Sequence, residues 1–219
     1  MTELDWNCTP EDVLACWPDS LPLAALVTGA GHGGHARLSM LAVPAETVEC
    51  RTHDDALAAL ERAGAGGTWC VAASYELARA FEPTSLPLGR MPDDGWPLAT
   101  LVRCGARLEL DHRSGRWSAH GDAGALAADL GSRMRAGVRA ANAARIDGLE
   151  PDLAPGAYER MVAEAVGLVH AGDVFQANVA QRFSARWSGA RRAIMRAAFA
   201  ASRPRYGAWI EAPAHALRA

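Results

Sequence analysis

Apolar and polar positions alternate along residues 174–185, and this alternation predicts a β-strand. Alternate residues of a strand share a face, so the segment divides into two sets. One face carries the apolar and aromatic residues Phe175, Ala177, Val179, Phe183 and Ala185. Gln176 and Asn178 fall on the other face, where we expect them to project side by side. On the pattern alone, an amphipathic edge strand with its polar face in solvent is the simplest interpretation.

A helix is predicted immediately before this strand, beginning at Tyr158. The spacing places five side chains on one helical face: Tyr158, Val162, Ala165, Val166 and Val169. Gly172 follows the last of them and is a typical helix stop, because glycine readily adopts the left-handed conformation that ends many helices. The sequence therefore predicts a helix, a glycine turn and a strand in direct succession.

The remaining pattern predicts hairpins mixed with helices. Strand-like runs cover residues 21–28, 36–43, 68–74 (a buried strand), 98–111, 116–119 and 206–211, and helical runs cover 52–63, 122–142 and 190–202. Such a mixture predicts an α+β fold with antiparallel sheets flanked by helices. Glycine and prolines in residues 145–156 predict a linker between an N-terminal region (1–144) and a second region (157–219).

Composition narrows the functional classes. The 219 residues are enough for one large or two small domains, and the net charge of −3 gives no electrostatic reason to expect nucleic acid or an anionic membrane as a partner. No apolar run approaches the ~20 residues of a membrane span, and the N-terminus lacks a signal-peptide pattern, which predicts a cytoplasmic protein. The five cysteines lack zinc-ligand spacing and are interpreted as reduced thiols. All 22 basic residues are arginine, so no lysine amine is available for chemistry.

A glycine-rich stretch matches the dinucleotide-binding pattern at Gly29, Gly31 and Gly34. A dinucleotide loop must open a helix, whereas here a strand-like run follows and ends at Pro44. The stretch is therefore interpreted as a hairpin turn. His32 and His35 lie in the same turn, but no further metal ligands are evident near them.

The stretch Gly172-Asp-Val-Phe-Gln176-Ala-Asn178 resembles the G-D-[IV]-[FY]-Q-x-N signature of chorismate-utilising enzymes. Further segments resemble that family's motifs in the family's order: Pro22–Gly29, Arg37–Ser39, Ser74–Arg79 and Pro204–Trp209. Within the family, the chain most resembles component I of aminodeoxychorismate synthase, and component I of anthranilate synthase is the nearest alternative. The resemblance implies the N-terminal part of the anthranilate-synthase-type chorismate-binding fold.

The resemblance also implies a reaction. Component I aminates chorismate to 4-amino-4-deoxychorismate, on the path to para-aminobenzoate and folate, with magnesium as cofactor and ammonia from a glutamine amidotransferase subunit. Water-adding members of the family carry a lysine base where this chain has Gln176. A neutral amide cannot accept a proton at neutral pH but can orient a nucleophile, so the resemblance favours the aminating branch, with Gln176 and Asn178 in the site.

The chain also departs from the family's pattern. The family's magnesium-binding glutamates, catalytic histidine and later motifs are not found after Ala212. We therefore expect an incomplete fold, no metal ligands in this segment and no activity from the chain alone. A non-catalytic module that binds an amino acid or serves as a scaffold for the amidotransferase is the alternative of a different class.

Several family members hold tryptophan between two strands. By resemblance, the corresponding residues here are Leu26, Val27, Thr28, Pro204, Tyr206 and Gly207. Val27 replaces the acid that would pair with the ligand's ammonium group, and this weakens the expectation of a tryptophan site. The alternative is that the two strands simply pair within a sheet.

Overall fold

The computed structural model describes residues 1–28, 37–82, 96–139 and 143–211. The strands are β1 (Thr2–Leu4), β2 (Ala24–Thr28), β3 (Leu38–Cys50), β4 (Trp69–Ala73), β5 (Ala99–Asp111), β6 (Arg116–His120), β7 (Ala144–Pro151), β8 (Phe183–Gly189) and β9 (Tyr206–Ile210). The helices are α1 (Pro10–Cys16), α2 (His53–Gly64), α3 (Gly124–Arg135), α4 (Ala157–Ala171) and α5 (Arg191–Ser202), with a short 3₁₀ helix at Tyr75–Ala80. This mixture of helices and antiparallel sheets confirms the predicted α+β class.

The described residues form two compact units. The first contains those up to residue 139 together with residues 194–211, and the second contains residues 143–193. The chain thus returns to the first unit after the second, whereas the sequence predicted a single division at residues 145–156. Most of β7 (Ala144–Pro151) lies within the segment predicted to be a linker.

The first unit is built on a seven-stranded sheet of order β1-β6-β5-β3-β2-β9, with β4 paired to β5. Both predicted hairpins are confirmed, since β2 pairs with β3 and β5 pairs with β6, each antiparallel. β5 is the central strand. It pairs with β3 along its length, with β4 over residues 99–103 and with β6 over residues 107–111.

The pairing of β3 with β5 shifts register on both sides of Pro44, which lies opposite Cys104. Proline has no N–H to donate to a ladder, and a bulge accommodates it. We had predicted that the strand would end at Pro44, but it continues to Cys50. The irregularity also changes which alternate residues face the helices. Leu41, which precedes Pro44 in the chain, packs in the main core, whereas Val48 and Cys50, which follow Pro44, pack in a second core cluster.

The main core of the first unit lies between the sheet and its helices. Its largest buried side chains are two tryptophans and several leucines: Trp17, Trp117, Leu14, Leu23, Leu41, Leu108 and Leu130. The indole N–H of Trp117 donates to the Cys8 carbonyl at 3.0 Å, and the Trp6 ring lies 5.6 Å from the Trp117 ring. A buried indole with a satisfied N–H adds apolar contact without an unpaired donor.

Some local predictions failed for identifiable reasons. Residues 1–20 gave weak signals, yet they contain β1 and α1. α1 begins with a reciprocal cap in which the Asp12 N–H donates to Thr9 Oγ1 (3.2 Å) and the Thr9 N–H donates to Asp12 Oδ2 (3.0 Å). β4 was predicted to be buried, but it lies at the sheet's margin with Val71–Ala73 exposed. α3 covers only residues 124–135 of the predicted 122–142.

Two further sequence observations have limited structural counterparts. The glycine stretch with Gly29, Gly31, Gly34, His32 and His35 lies outside the described residues. Within the described parts of the chain, none of the helices has the length and apolar character needed to cross a membrane.

In the second unit, β7 and β8 pair antiparallel, with Pro151 opposite Phe183. Just beyond that pair, the Arg182 guanidinium donates to Asp152, and the Ser184 hydroxyl donates to the same carboxylate at 2.9 Å. These hydrogen bonds, that of Arg182 above all, hold the pKa of the Asp152 carboxyl below its usual range. The contact fixes the point at which the strand pairing ends.

An ion pair joins the start of β3 to the end of β5 in the first unit. Arg37 donates to Asp111 Oδ2 from Nη2 (2.7 Å) and Nε (3.1 Å), and the Arg113 N–H donates to Asp111 Oδ1 at 2.8 Å. The hydrogen bonds from Arg37 lower the pKa of Asp111 to about 2. An unfolded aspartate has a pKa of about 3.9, so the folded state holds the ionised form more tightly.

We predict that this contribution to stability is complete above about pH 4 and is lost as the pH falls towards about 2. The change Asp111→Asn should lower the thermal midpoint at neutral pH and flatten its dependence on pH between these two values. Thermal melts of both proteins across the acid range measure the difference. Curves that run parallel over that range would contradict the assignment.

Candidate functional site

The signature begins with a helix-ending turn. Gly172 adopts φ +82° directly after α4, and its N–H donates to the Val169 carbonyl at 3.2 Å. The Asp173 N–H reaches back to the Leu168 carbonyl at 3.0 Å. This pair of bonds is a Schellman-type cap, in which a left-handed residue lets two N–H groups satisfy the last free carbonyls of a helix. The predicted glycine stop is therefore confirmed.

After the cap, residues 174–182 have no regular secondary structure, so they do not form the strand that we predicted. β8 begins only at Phe183, and its pairing with β7 ends just before it, where the Asp152 N–H donates to the Arg182 carbonyl at 2.9 Å. The polar side chains Gln176 and Asn178 are exposed. The aromatic face is not buried either, since Phe175 is 97% exposed. The alternating pattern could not show that these residues lack a strand partner among the described residues of the second unit.

An open apolar groove with a volume of about 410 Å³ lies between α4 and the segment 174–182. Its lining consists of the predicted apolar face of α4, one histidine and two residues of the signature: Tyr158, Val162, Ala165, Val166, Val169, His170, Ala177 and Val179. The Tyr158 hydroxyl donates to the Val179 carbonyl at 3.4 Å. Ala177 and Val179 therefore line the groove together with residues of the helix.

At positions 176 and 178 of the signature, the available chemistry is that of neutral amides. Gln176 and Asn178 can each donate and accept hydrogen bonds, and neither can act as a base at neutral pH. α4 contributes no buried residue, and Val166 and Val169 remain 48% and 40% exposed. Within the second unit, then, the two amides are presented to solvent and are not enclosed.

The residues of the predicted amino-acid pocket lie on two paired strands of the first unit. β2 and β9 are antiparallel neighbours, with Val27 opposite Gly207 and Thr28 opposite Tyr206. Leu26 lies opposite Ala208, and Pro204 precedes β9. The structure therefore brings the two predicted segments together through main-chain pairing, which was the alternative considered for them.

Two features of this pairing limit the charge and the space available to a ligand there. Val27 is only 2% exposed and packs in the core, so no carboxylate is present there to meet an ammonium group. A Cβ added at Gly207 would come within 3.0 Å of both Phe199 and Pro204. Phe199, from α5, was not among the predicted pocket residues. The space beside Gly207 is already occupied by the protein's own side chains.

A polar cluster that the sequence analysis missed lies beside this pocket. The Ser39 hydroxyl is 2.8 Å from His112 Nε2 and accepts the Thr28 N–H at 3.0 Å. Thr28 Oγ1 in turn donates to the Leu38 carbonyl at 3.2 Å. Ser39 is fully buried, so this arrangement ties the end of β2 to β3 and offers no accessible nucleophile. The predicted hairpins placed Thr28 and Ser39 on neighbouring strands, but no local pattern connects them to His112.

A second missed cluster lies on β5 and β6. Glu109 Oε1 accepts from Arg107 Nε at 2.6 Å, and Glu109 Oε2 lies 3.3 Å from His120 Nε2. Ser118 Oγ is 2.9 Å from the same nitrogen of His120. The register pairs Arg107 with His120 and Glu109 with Ser118. Counting outward from the predicted turn at residues 112–115 would have given these pairs.

The residues that would hold a metal are not assembled in the described parts of the chain. Across residues 1–28, 37–82, 96–139 and 143–211, no group of three or more His, Cys, Asp or Glu side chains is close enough together to hold an ion. Magnesium requires several oxygen ligands in near-octahedral geometry. These residues therefore do not fit the magnesium that the resemblance implies, and we derive no step through it.

The comparison with protein families identifies the class of protein. The model of the chorismate binding enzyme family matches residues 24–217, which include the whole signature, all of the second unit and most of the first. The chain belongs to the chorismate-binding enzyme family, a family of chorismate-utilising enzymes. A search of curated proteins found no significant match.

The cap at Gly172 gives a test of how the signature is positioned. We predict that Gly172→Ala costs about 1–2 kcal/mol, because a side chain disfavours positive φ. Gly167 is the matched control: it lies inside α4, and a Cβ at either glycine would meet no atom within 4 Å. Gly167→Ala should instead stabilise the helix by about 0.5–1 kcal/mol.

Amide hydrogen exchange along α4 in the two variants and the parent chain measures both effects. Exchange should become faster in Gly172→Ala and slower in Gly167→Ala, most clearly in the last turn of α4. Equal protection in the two variants would contradict the role of the cap.

Proposed function

We propose that this chain is component I of an aminodeoxychorismate synthase and takes part in the amination of chorismate to 4-amino-4-deoxychorismate. The observation that carries the proposal is Gln176, within a signature that the matched family model covers. A lysine at this position would supply a base for water, and a glutamine supplies only hydrogen bonds. An amide at this point suits ammonia, which is a nucleophile without needing to lose a proton first.

The arrangement around Gln176 supports this role. The cap at Gly172 ends α4, and the segment 174–182 begins directly after it. Ala177 and Val179 of that segment line the groove beside the helix. Gln176 and Asn178 are exposed and are not among the residues that line the groove, so both amides are free to hydrogen-bond to a ligand. Chorismate carries two carboxylates and a hydroxyl, all of which accept hydrogen bonds from amide N–H groups.

The proposal assigns ammonia release and magnesium binding to parts other than the described residues. A glutamine amidotransferase subunit would release the ammonia, and the magnesium would be held by a complementing C-terminal segment of the chorismate-binding domain. We infer this because the described residues offer no ligand set for the ion. On this proposal the chain alone does not turn over chorismate, and it works in the cytoplasm, where its thiols stay reduced.

Anthranilate synthase, in tryptophan biosynthesis, is the alternative within the family. The buried Val27 favours the aminodeoxychorismate branch, because it leaves no acid to recognise the ammonium group of a regulatory tryptophan. A non-catalytic module that binds an amino acid or serves as a scaffold for the amidotransferase is the alternative outside enzymology. Its support is the exposure of both signature amides within the second unit.

The proposed reaction can be tested by complementation. The chain is mixed with a separately produced C-terminal segment of a family member, together with chorismate, magnesium and ammonium, and the products are separated by chromatography. We expect aminodeoxychorismate from the mixture and no product from the chain alone. Anthranilate would assign the chain to the other branch, and the absence of product in every mixture would contradict an enzymatic role.

Gln176→Lys in the same assay tests the residue itself. We predict that it lowers amination by at least about 10-fold, since a lysine replaces the neutral amide with a group of different charge and hydrogen bonding. Gln181→Lys is the matched control, because it makes the same change in the same extended segment. Equal losses in the two variants would show that the effect of Gln176→Lys is not specific to its position.

Binding of tryptophan is a separate question with its own measurement. We predict no heat and no thermal shift at millimolar tryptophan, because Val27 offers no carboxylate and Phe199 and Pro204 occupy the space beside Gly207. Calorimetric titration of the purified chain tests this expectation. Saturable binding would instead support the amino-acid-binding module.

A further inference from the structure

Two cysteines meet across neighbouring strands on the sheet face opposite the main core. Cys70 lies in β4 and Cys104 in β5, and their sulfur atoms are 3.6 Å apart. Cys70 is opposite Val102 in the register, and the Cys104 N–H donates to the Thr68 carbonyl at 2.8 Å. The two cysteines are therefore diagonal neighbours in the ladder, and their side chains share a small apolar cluster with Val102, Ala24 and Ala42.

The separation of the sulfurs can be closed by local movement. A disulfide bond is about 2.05 Å long, so the sulfurs must approach by roughly 1.5 Å. Rotation about the Cα–Cβ bonds moves each sulfur by a comparable amount. β4 can also yield, because it is paired only to β5 among the described strands and its residues Val71–Ala73 are exposed.

The pKa of Cys104 is shifted in the opposite direction from the pKa values of Cys70, Cys50 and Cys8. The contact between the two thiols lowers the pKa of Cys104 and raises the pKa of Cys70. Burial raises the pKa of Cys50, and burial together with Asp12 raises the pKa of Cys8 to about 11. Thiolates react with oxidants and thiols do not, so Cys104 is favoured as the first site of attack.

We propose that Cys70 and Cys104 form a redox-responsive pair that closes to a disulfide between β4 and β5 when hydrogen peroxide is the oxidant. The small size of peroxide matters, because Cys104 is only 4% exposed and Cys70 is half-buried at the margin of the sheet. The disulfide would covalently link the edge strand β4 to the central strand β5.

The reaction balances in two steps. The Cys104 thiolate attacks one oxygen of the peroxide, the O–O bond breaks, and a sulfenic acid and hydroxide form. The Cys70 sulfur then attacks Cys104 Sγ, its proton combines with the departing hydroxyl to form water, and the S–S bond closes. The two sulfurs lose two electrons in total, and the peroxide is reduced to two molecules of water once the first hydroxide takes a proton from solvent.

The test treats the purified full chain with stoichiometric peroxide and maps the peptides without reduction. Cleavage after arginine separates the cysteines conveniently: Cys70 lies in residues 63–79, Cys104 in residues 104–107, Cys50 in residues 38–51, and Cys8 and Cys16 in residues 1–37. We expect residues 63–79 linked to residues 104–107, with a mass about 2 Da below the sum of the two reduced peptides because two hydrogens are lost. Dithiothreitol should restore both peptides.

The controls separate this pair from general thiol oxidation. Cys70→Ser, at the exposed margin of the sheet, should abolish the linked peptide and leave Cys104 to oxidise further to the sulfinic acid. Cys50→Ser should leave the link unchanged. Oxidation should also raise the thermal midpoint of the parent chain and not that of Cys70→Ser.

Several outcomes would overturn the proposal. These are a linked peptide that involves another cysteine in equal amount, crosslinks between chains only, or sulfinic acid at Cys104 in the parent chain without any link to Cys70. None of these measurements depends on turnover of chorismate.

Discussion

The pairing of β3 with β5 is the constraint on which the first unit depends. β5 is bonded on its other edge to β4 and then to β6, and β3 is bonded to β2, which carries β9. The irregularity at Pro44 lets both long strands continue while exchanging which alternate residues face the helices. Without that exchange, Leu41 and Val48 could not both pack against helices on one side of the sheet.

The same central strand explains the position of the polar and thiol groups. Along one edge of β5, β4 is the neighbour first and β6 follows it. Cys104 therefore lies at the end of the pairing with β4, and Arg107 and Glu109 lie beside β6. Cys104 therefore meets Cys70 within a small apolar cluster, while Glu109 meets Arg107 and His120. The two clusters have different chemistry because they lie next to different strands.

In the second unit, a glycine turn at the end of α4 positions the family signature. A glycine in the left-handed conformation ends α4, and the following residues run back along the helix with Ala177 and Val179 towards it. Gln176 and Asn178 are exposed and do not line the groove between that segment and α4. Membership of the chorismate-binding enzyme family gives these exposed amides a functional context.

The sequence by itself determined the features that depend on local spacing. These are the α+β class, the two hairpins, the apolar face of α4 and the stop at Gly172, because each follows from a period or a turn residue within a few positions. Only the tertiary structure decided the features that depend on distant partners. β4 is an edge strand, β7 lies within the predicted linker segment, residues 174–182 pair with none of the strands in the described part of the chain, and Phe199 fills the space beside Gly207. Pairing and packing join residues far apart in the chain, and no local period records which partner they find.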